Sequence, residues 1–155
     1  AYLNRTPASA GNRKTWTWSG WVKRGNLTTT QILFCAGTST TSPFTIGYFT
    51  SSDTLAFVTA TTGGADAGTI QTTAVFRDPS AWYHIVWYFD ASNSIQRVYV
   101  NGVLQTVTST TLVDQDHVIN STTPHSIGHD TRGLGLYFDG YIANVAFIDG
   151  TALTP

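Results

Sequence analysis

Trp82-Tyr83-His84-Ile85-Val86-Trp87-Tyr88-Phe89 puts bulky side chains on both faces of an extended chain, and Asn101-Gly102 follows between Arg97-Val98-Tyr99-Val100 and Val103-Leu104-Gln105-Thr106-Val107. Successive side chains of a strand point to opposite faces, so the first stretch belongs at the centre of a sheet, with another layer over at least one face. Asn-Gly is the strongest short hairpin signal, because a type I′ turn needs positive φ at both central residues. Two antiparallel strands therefore meet at Asn101-Gly102, and a second sheet is needed to cover the aromatic strand.

The same extended pattern continues on both sides of this segment. Strands are expected over Thr15 to Lys23, Gln31 to Ala36, Phe44 to Thr50, Thr54 to Thr59, Thr69 to Phe76, Trp82 to Asp90, Gln96 to Asn101, Val103 to Val107, Ser126 to Gly128 and Tyr137 to Ile148. Gly, Pro, Ser, Asn and Asp separate them, the punctuation of an all-β sandwich rather than of βαβ units. No segment carries a helical period of useful length. The 155 residues, 16.8 kDa, suit one domain over 1–155, and a chain of this size buries about 70% of its extended surface. The chain lacks Met even at position 1, which is expected of a mature piece or a module of a longer chain.

Only 11% of the residues are charged, yet five Trp, seven Tyr and eight Phe exclude a disordered polymer. A net charge of −1 provides no field to attract phosphate, so nucleic acid is not an expected partner. No run of 18 apolar residues occurs, so membrane insertion is not expected either. Cys35, alone in the apolar run Ile32 to Ala36, reads as a small core residue.

Arg5-Thr6-Pro7 through Trp16-Thr17-Trp18-Ser19-Gly20-Trp21-Val22-Lys23-Arg24, the central Trp82 to Val86 with Val98-Tyr99-Val100-Asn101-Gly102, and the closing Tyr137-Phe138-Asp139-Gly140-Tyr141-Ile142-Ala143-Asn144-Val145-Ala146-Phe147 together resemble a laminin-G-like, concanavalin A-like jelly-roll domain. That resemblance implies an antiparallel two-sheet β-sandwich with aromatics between the layers. The Arg-Thr-Pro start and the Ile148-Asp149-Gly150-Thr151-Ala152-Leu153-Thr154-Pro155 end resemble the version found in structural proteins of tailed phages of aquatic bacteria. The implied role is a non-enzymatic structural or adhesion module on the virion surface, a capsid decoration or a tail or fibre protein. Its partners would be neighbouring virion subunits in an oligomeric assembly, with weak binding of host glycan. The alternative is a secreted, lectin-like or filament-forming subunit of an extracellular bacterial assembly. Fold alone does not choose between these roles, so function has to be argued from a site.

Glucanases of the same superfamily cleave with a Glu-x-Asp-x-Glu strand, and retaining glycoside cleavage needs two carboxyl groups about 5 Å apart. All nine acidic residues here are Asp, and no strand carries Asp-x-Asp-x-Asp, so catalysis is not expected. Asp114-Gln115-Asp116 offers the closest carboxylates, candidate ligands for Ca²⁺. That ion takes six or more oxygens, and the loop reads more simply as solvated. His84 reads as a satisfied strand residue, and His117, His125 and His129 do not follow a zinc spacing.

The loop His129-Asp130-Thr131-Arg132-Gly133-Leu134-Gly135 is the best local candidate for recognition. Sugars need planar donors and acceptors beside an aromatic face, and Asp130, Arg132 and Tyr137 supply those types on a Gly-rich turn. Asp66, in the flexible Thr61 to Gly68 stretch, is the rim candidate. Arg5, Arg13, Lys14, Lys23 and Arg24 concentrate five of the eight basic residues near the start, as a contact face for an acidic partner or as a solvated edge.

Overall fold

The computed structural model describes all of residues 1–155. One antiparallel sheet has seven strands in the order β1 (Leu3–Arg5), β11 (His125–Ile127), β3 (Gln31–Ala36), β4 (Phe44–Phe49), β5 (Thr54–Ala60), β6 (Asp66–Val75) and β10 (Val107–Ser109). The other has five, β12 (Gly140–Asp149), β2 (Thr15–Arg24), β7 (Tyr83–Asp90), β8 (Ile95–Val100) and β9 (Val103–Leu104). This is the expected two-sheet, all-β sandwich, with the aromatic strand β7 at the centre of its sheet. No helix is long and apolar enough to cross a membrane.

Alternation builds the core. Trp16, Trp18 and Val22 of β2 and Ile85, Trp87 and Phe89 of β7 point inward, where they meet Phe49, Leu55, Phe57 and Ile70 of the larger sheet. Trp16 stacks on Phe89 with ring centroids 4.4 Å apart, and Phe57 packs across the layers on Trp87 at 4.3 Å. Gly47 makes room for this contact, since a Cβ there would lie 2.6 Å from the Phe57 ring. The hairpin signal is met as well: Asn101 and Gly102 take φ of 51° and 79°, and Val100 pairs with Val103.

Three differences from the sequence reading have physical causes. The segment Val103 to Val107 is not one strand: Val103–Leu104 ends the smaller sheet, and Val107–Ser109 crosses to pair with β6 in the larger one. The last strand begins at Gly140, not at Tyr137, which makes only an isolated bridge to His129. Strand β1 carries no alternating pattern, and its three residues are held only by pairing with β11.

A buried ion pair joins the layers. Arg24, the last residue of β2, donates from Nη2 to Asp53 Oδ1 at 2.9 Å and from Nη1 to the Phe76 carbonyl at 2.6 Å. Asp53 sits in the β4–β5 turn at φ 63° and also accepts from the Thr28 N–H and from Arg77 Nε. Burial by itself would raise the Asp53 pKa; these donors outweigh it and hold the carboxyl below its usual range. The five early basic residues therefore do not share one face. Arg24 is internal, Lys14 pairs with Asp114 at 2.9 Å and Arg13 approaches Asp116 at 3.9 Å.

Candidate functional site

The hairpin from His129 to Tyr137 folds over the outer face of the seven-stranded sheet. His129 bridges Tyr137, the Asp130 N–H donates to the Leu136 carbonyl at 3.0 Å, and Gly133 and Gly135 turn the tip with φ of 87° and 66°. Leu136 anchors it by packing on Ile32, Cys35 and Ile46, a small apolar cluster on that outer face. The bulge in β3 between Ile32 and Phe34 sends Leu33 and Phe34 to the core while leaving Ile32 and Cys35 under the hairpin.

Asp130 is fully buried and holds Arg132 in a bidentate pair: Oδ1 accepts from Nε at 3.0 Å and Oδ2 from Nη2 at 2.7 Å, while the Arg132 N–H adds a third bond at 2.8 Å. Burial opposes the charge on both partners. Their mutual hydrogen bonds and attraction prevail, lowering the pKa of Asp130 and raising that of Arg132. Locked in this way, the guanidinium lies 4.4 Å from the centre of the Phe44 ring, a cation–π contact. Cys35 lies beneath, its sulfur 3.2 Å from Thr131 Oγ1 and 3.7 Å from Asp130. Burial pushes the thiol pKa up, so Cys35 is a protonated packing residue and not a thiolate.

The arrangement borders an open groove of about 310 Å³, floored by Ile32, Ile46 and Val58 and flanked by Phe44, Tyr48 and Arg132. Arg132 Nη1 has no acceptor within the protein, and the Tyr48 hydroxyl has no partner there either. Burial pushes the Tyr48 phenol up against the opposing pull of the Arg132 cation, so at neutral pH it offers an un-ionised O–H. The groove thus combines a flat apolar floor with aromatic edges and fixed donors.

The sequence candidates distribute unevenly around it. Asp130 and Arg132 meet, but Asp130 serves to fix Arg132 and has no free lone pair facing a ligand. Tyr137 turns to the other side of the hairpin, where it packs on His129 at 4.8 Å and near Tyr2 at 6.1 Å. Asp66 lies two strands from Phe44 through Ala60, about 10 Å by strand spacing, and its carboxylate accepts from Gly68 N–H and Thr69 Oγ1 to shape the local turn. Asp114 and Asp116 face Lys14 and Arg13, and no cluster of three or more His, Cys, Asp or Glu side chains could hold a metal. His117 is internal, between Thr59 Oγ1 at 2.8 Å and the Val113 carbonyl at 3.0 Å. Phe44 and Tyr48 were not singled out from the sequence. Their signal was present, since Phe44-Thr45-Ile46-Gly47-Tyr48-Phe49 is apolar on both faces of one strand.

Architecture and groove together define a two-layer, lectin-like β-sandwich. Residues 2–155 match the concanavalin A-like lectin/glucanases superfamily, and the chain belongs to that family. No curated protein sequence matches it. Among solved structures, a heptameric SAP-like pentraxin from Limulus polyphemus is similar at TM-score 0.69 and 21% identity, over 99% of this chain and 71% of that one. The CBM40 of the Ruminococcus gnavus IT-sialidase gives TM-score 0.68 and 14% identity, over 98% and 94%. Domain 4 of AbnA, an extracellular arabinanase of Geobacillus stearothermophilus solved with arabinotriose, gives 0.69 and 18%, over 98% and 67%. Identities this low establish a shared fold.

Proposed function

We propose that this domain is a non-catalytic carbohydrate-binding module, and that the groove beside Arg132 is where the glycan lies. One observation carries the reading: a guanidinium fixed by a buried carboxylate, laid on the Phe44 ring, with an unused N–H bond beside an open apolar floor. A sugar presents apolar C–H faces and oxygen acceptors together, which suits the Phe44 and Tyr48 rings and Arg132 Nη1. Two structural relatives support it, one named as a CBM40 and the other, domain 4 of an arabinanase, solved with arabinotriose. No pair of unengaged carboxylates lines the groove, which argues for binding without cleavage.

In this reading the module sits on the outside of an assembly. A phage virion is the setting that the sequence resemblance favours, with a secreted bacterial filament or lectin-like assembly as the second. The test is a glycan array probed with the purified chain, followed by titration of the best glycan against Tyr48→Ala and Arg132→Lys. Loss of one charge-assisted hydrogen bond should weaken binding by about 1.5–3 kcal/mol, roughly 10- to 150-fold. Tyr48→Ala guards against misfolding, because Arg132 variants disturb a buried pair. Full affinity in both variants, with thermal stability retained, would refute the assignment.

A further inference from the structure

The floor of the Arg132 groove is aliphatic, which narrows what can lie on it. Ile46 of β4 pairs across the sheet with Val58 of β5, and Ile32 of β3 pairs with Tyr48, so three neighbouring strands supply one apolar strip between Phe44 and Tyr48. Ile32 and Ile46 are buried and Val58 is half-buried. One face of the Phe44 ring is already taken by the Arg132 guanidinium at 4.4 Å. The centre of the groove therefore offers methyl-sized apolar contact more than an open ring to stack on. A sugar hydroxyl pressed onto this strip would give up its water without a new partner, whereas a methyl group gains by leaving water.

Charge narrows the choice again. Asp130 is fully buried and takes Nε and Nη2 of Arg132, so the pair carries no net charge. No other residue lining the groove is charged. Asp66, on the same face, lies about 10 Å from Phe44 across β5 and is an acid. A ligand carboxylate would be a second anion on one guanidinium above an apolar floor, and a ligand ammonium would find no free anion to pair with. What the groove leaves for a ligand is Arg132 Nη1, which only donates, and the Tyr48 hydroxyl, which donates or accepts. The two are close enough that the Arg132 cation acts on the Tyr48 phenol.

We propose that the groove selects a neutral N-acetylated amino sugar. The acetamido carbonyl accepts from Arg132 Nη1, its N–H donates to the Tyr48 hydroxyl, and its methyl lies on Ile46 and Val58. An acetamido group carries the acceptor, the donor and the methyl within one small unit, and it has no charge. At about 310 Å³ the groove is at the small end of ligand sites, which suits one substituted sugar residue. This inference rests on the groove being the glycan site and adds the class of sugar it takes.

The test uses methyl glycosides of the gluco and galacto series, each with a hydroxyl, an ammonium or an acetamido group at C2, together with methyl glucuronide. Each is titrated into the isotope-labelled full chain and followed by chemical shifts. In at least one series the acetamido form should bind about tenfold tighter than the hydroxyl form, from one buried methyl and one hydrogen bond. The ammonium form and the glucuronide should bind more weakly than the hydroxyl form, and the shifts of the acetamido form should include the Arg132 side chain and the Val58 methyls. Val58→Thr keeps the side-chain shape and should weaken the acetamido form about fourfold and the hydroxyl form less, once a thermal scan has confirmed the fold. A preference for the acetamido form below about threefold in both series, or tighter binding of the glucuronide at Arg132, would overturn the inference and leave the groove a glycan site. Groove residues that stay silent with every one of these probes would overturn it too. The glycan reading itself falls only if they are also silent with the best ligand of the glycan array.

Discussion

Replacing Asp53 by Asn should cost this domain a large part of its stability while changing almost no volume. Asp53 is completely buried and serves three donors, Arg24 Nη2 at 2.9 Å, Arg77 Nε at 3.0 Å and the Thr28 N–H at 2.7 Å. Asn tolerates the positive φ of that position, so the substitution removes charge and not backbone fit. Arg24 would remain buried without a counter-charge: the Asn oxygen can still accept from Nη2, but an NH2 group would face the Arg77 Nε donor in place of the second oxygen. Breaking a buried pair from one side costs about 3–5 kcal/mol, a large fraction of the 5–15 kcal/mol typical of a domain. For a chain of this length that is a fall in melting temperature of roughly 6–20 °C. Arg24→Met should cost a similar amount, and the double variant should fall short of the sum by about 2 kcal/mol. Because the donors hold the folded Asp53 pKa below its unfolded value of about 3.9, its contribution is fully present above that pH and lost as pH falls through the folded value. Urea unfolding followed by tryptophan fluorescence at pH 7 and pH 3 measures all of this. A cost under about 1 kcal/mol for Asp53→Asn, or additive singles, would refute the clamp.

Trp87→Ala removes an indole packed on Trp16 and Phe57 and should cost about 3–5 kcal/mol in the same assay. Gly47→Ala drives a methyl group into the Phe57 ring and should cost about 1–3 kcal/mol, partly recovered in combination with Phe57→Leu. Burial is the main cause of the lowered His117 and His125 pKa values. The unfolded chain therefore takes up protons near pH 6.5 before the folded one does. Stability is fully present above that pH and falls as pH drops towards 5, and His117→Gln should flatten this slope in thermal scans.

The parts of the fold legible in the sequence were those set by local rules. Gln31 to Ala36 was read with the bounds that the structure shows, and Asn101-Gly102 dictated its own turn through positive φ. What escaped depends on distant partners. Arg24 reads as one more exposed base until Asp53, 29 residues on, is folded against it. Val103 to Val107 alternates well enough for one strand, but nothing local says that the chain changes sheet after Leu104. At the candidate site the loop was legible from its Gly, Asp and Arg residues, and the sheet beneath it was not. Arg132 meets Phe44 only because the hairpin folds back across strands about 90 residues earlier in the chain. Tyr137 looked like part of the same group by proximity in sequence, yet the pleat places it on the opposite side of the hairpin from Asp130.

The most direct check on the glycan reading is chemical-shift mapping with the best array ligand on isotope-labelled protein. The account predicts saturable shifts at the Arg132 side chain, the Tyr48 and Phe44 rings and the amides of β4. Shifts confined to the five-stranded sheet or the β1–β12 edge, or an Arg132 side chain that stays silent at saturation, would contradict it.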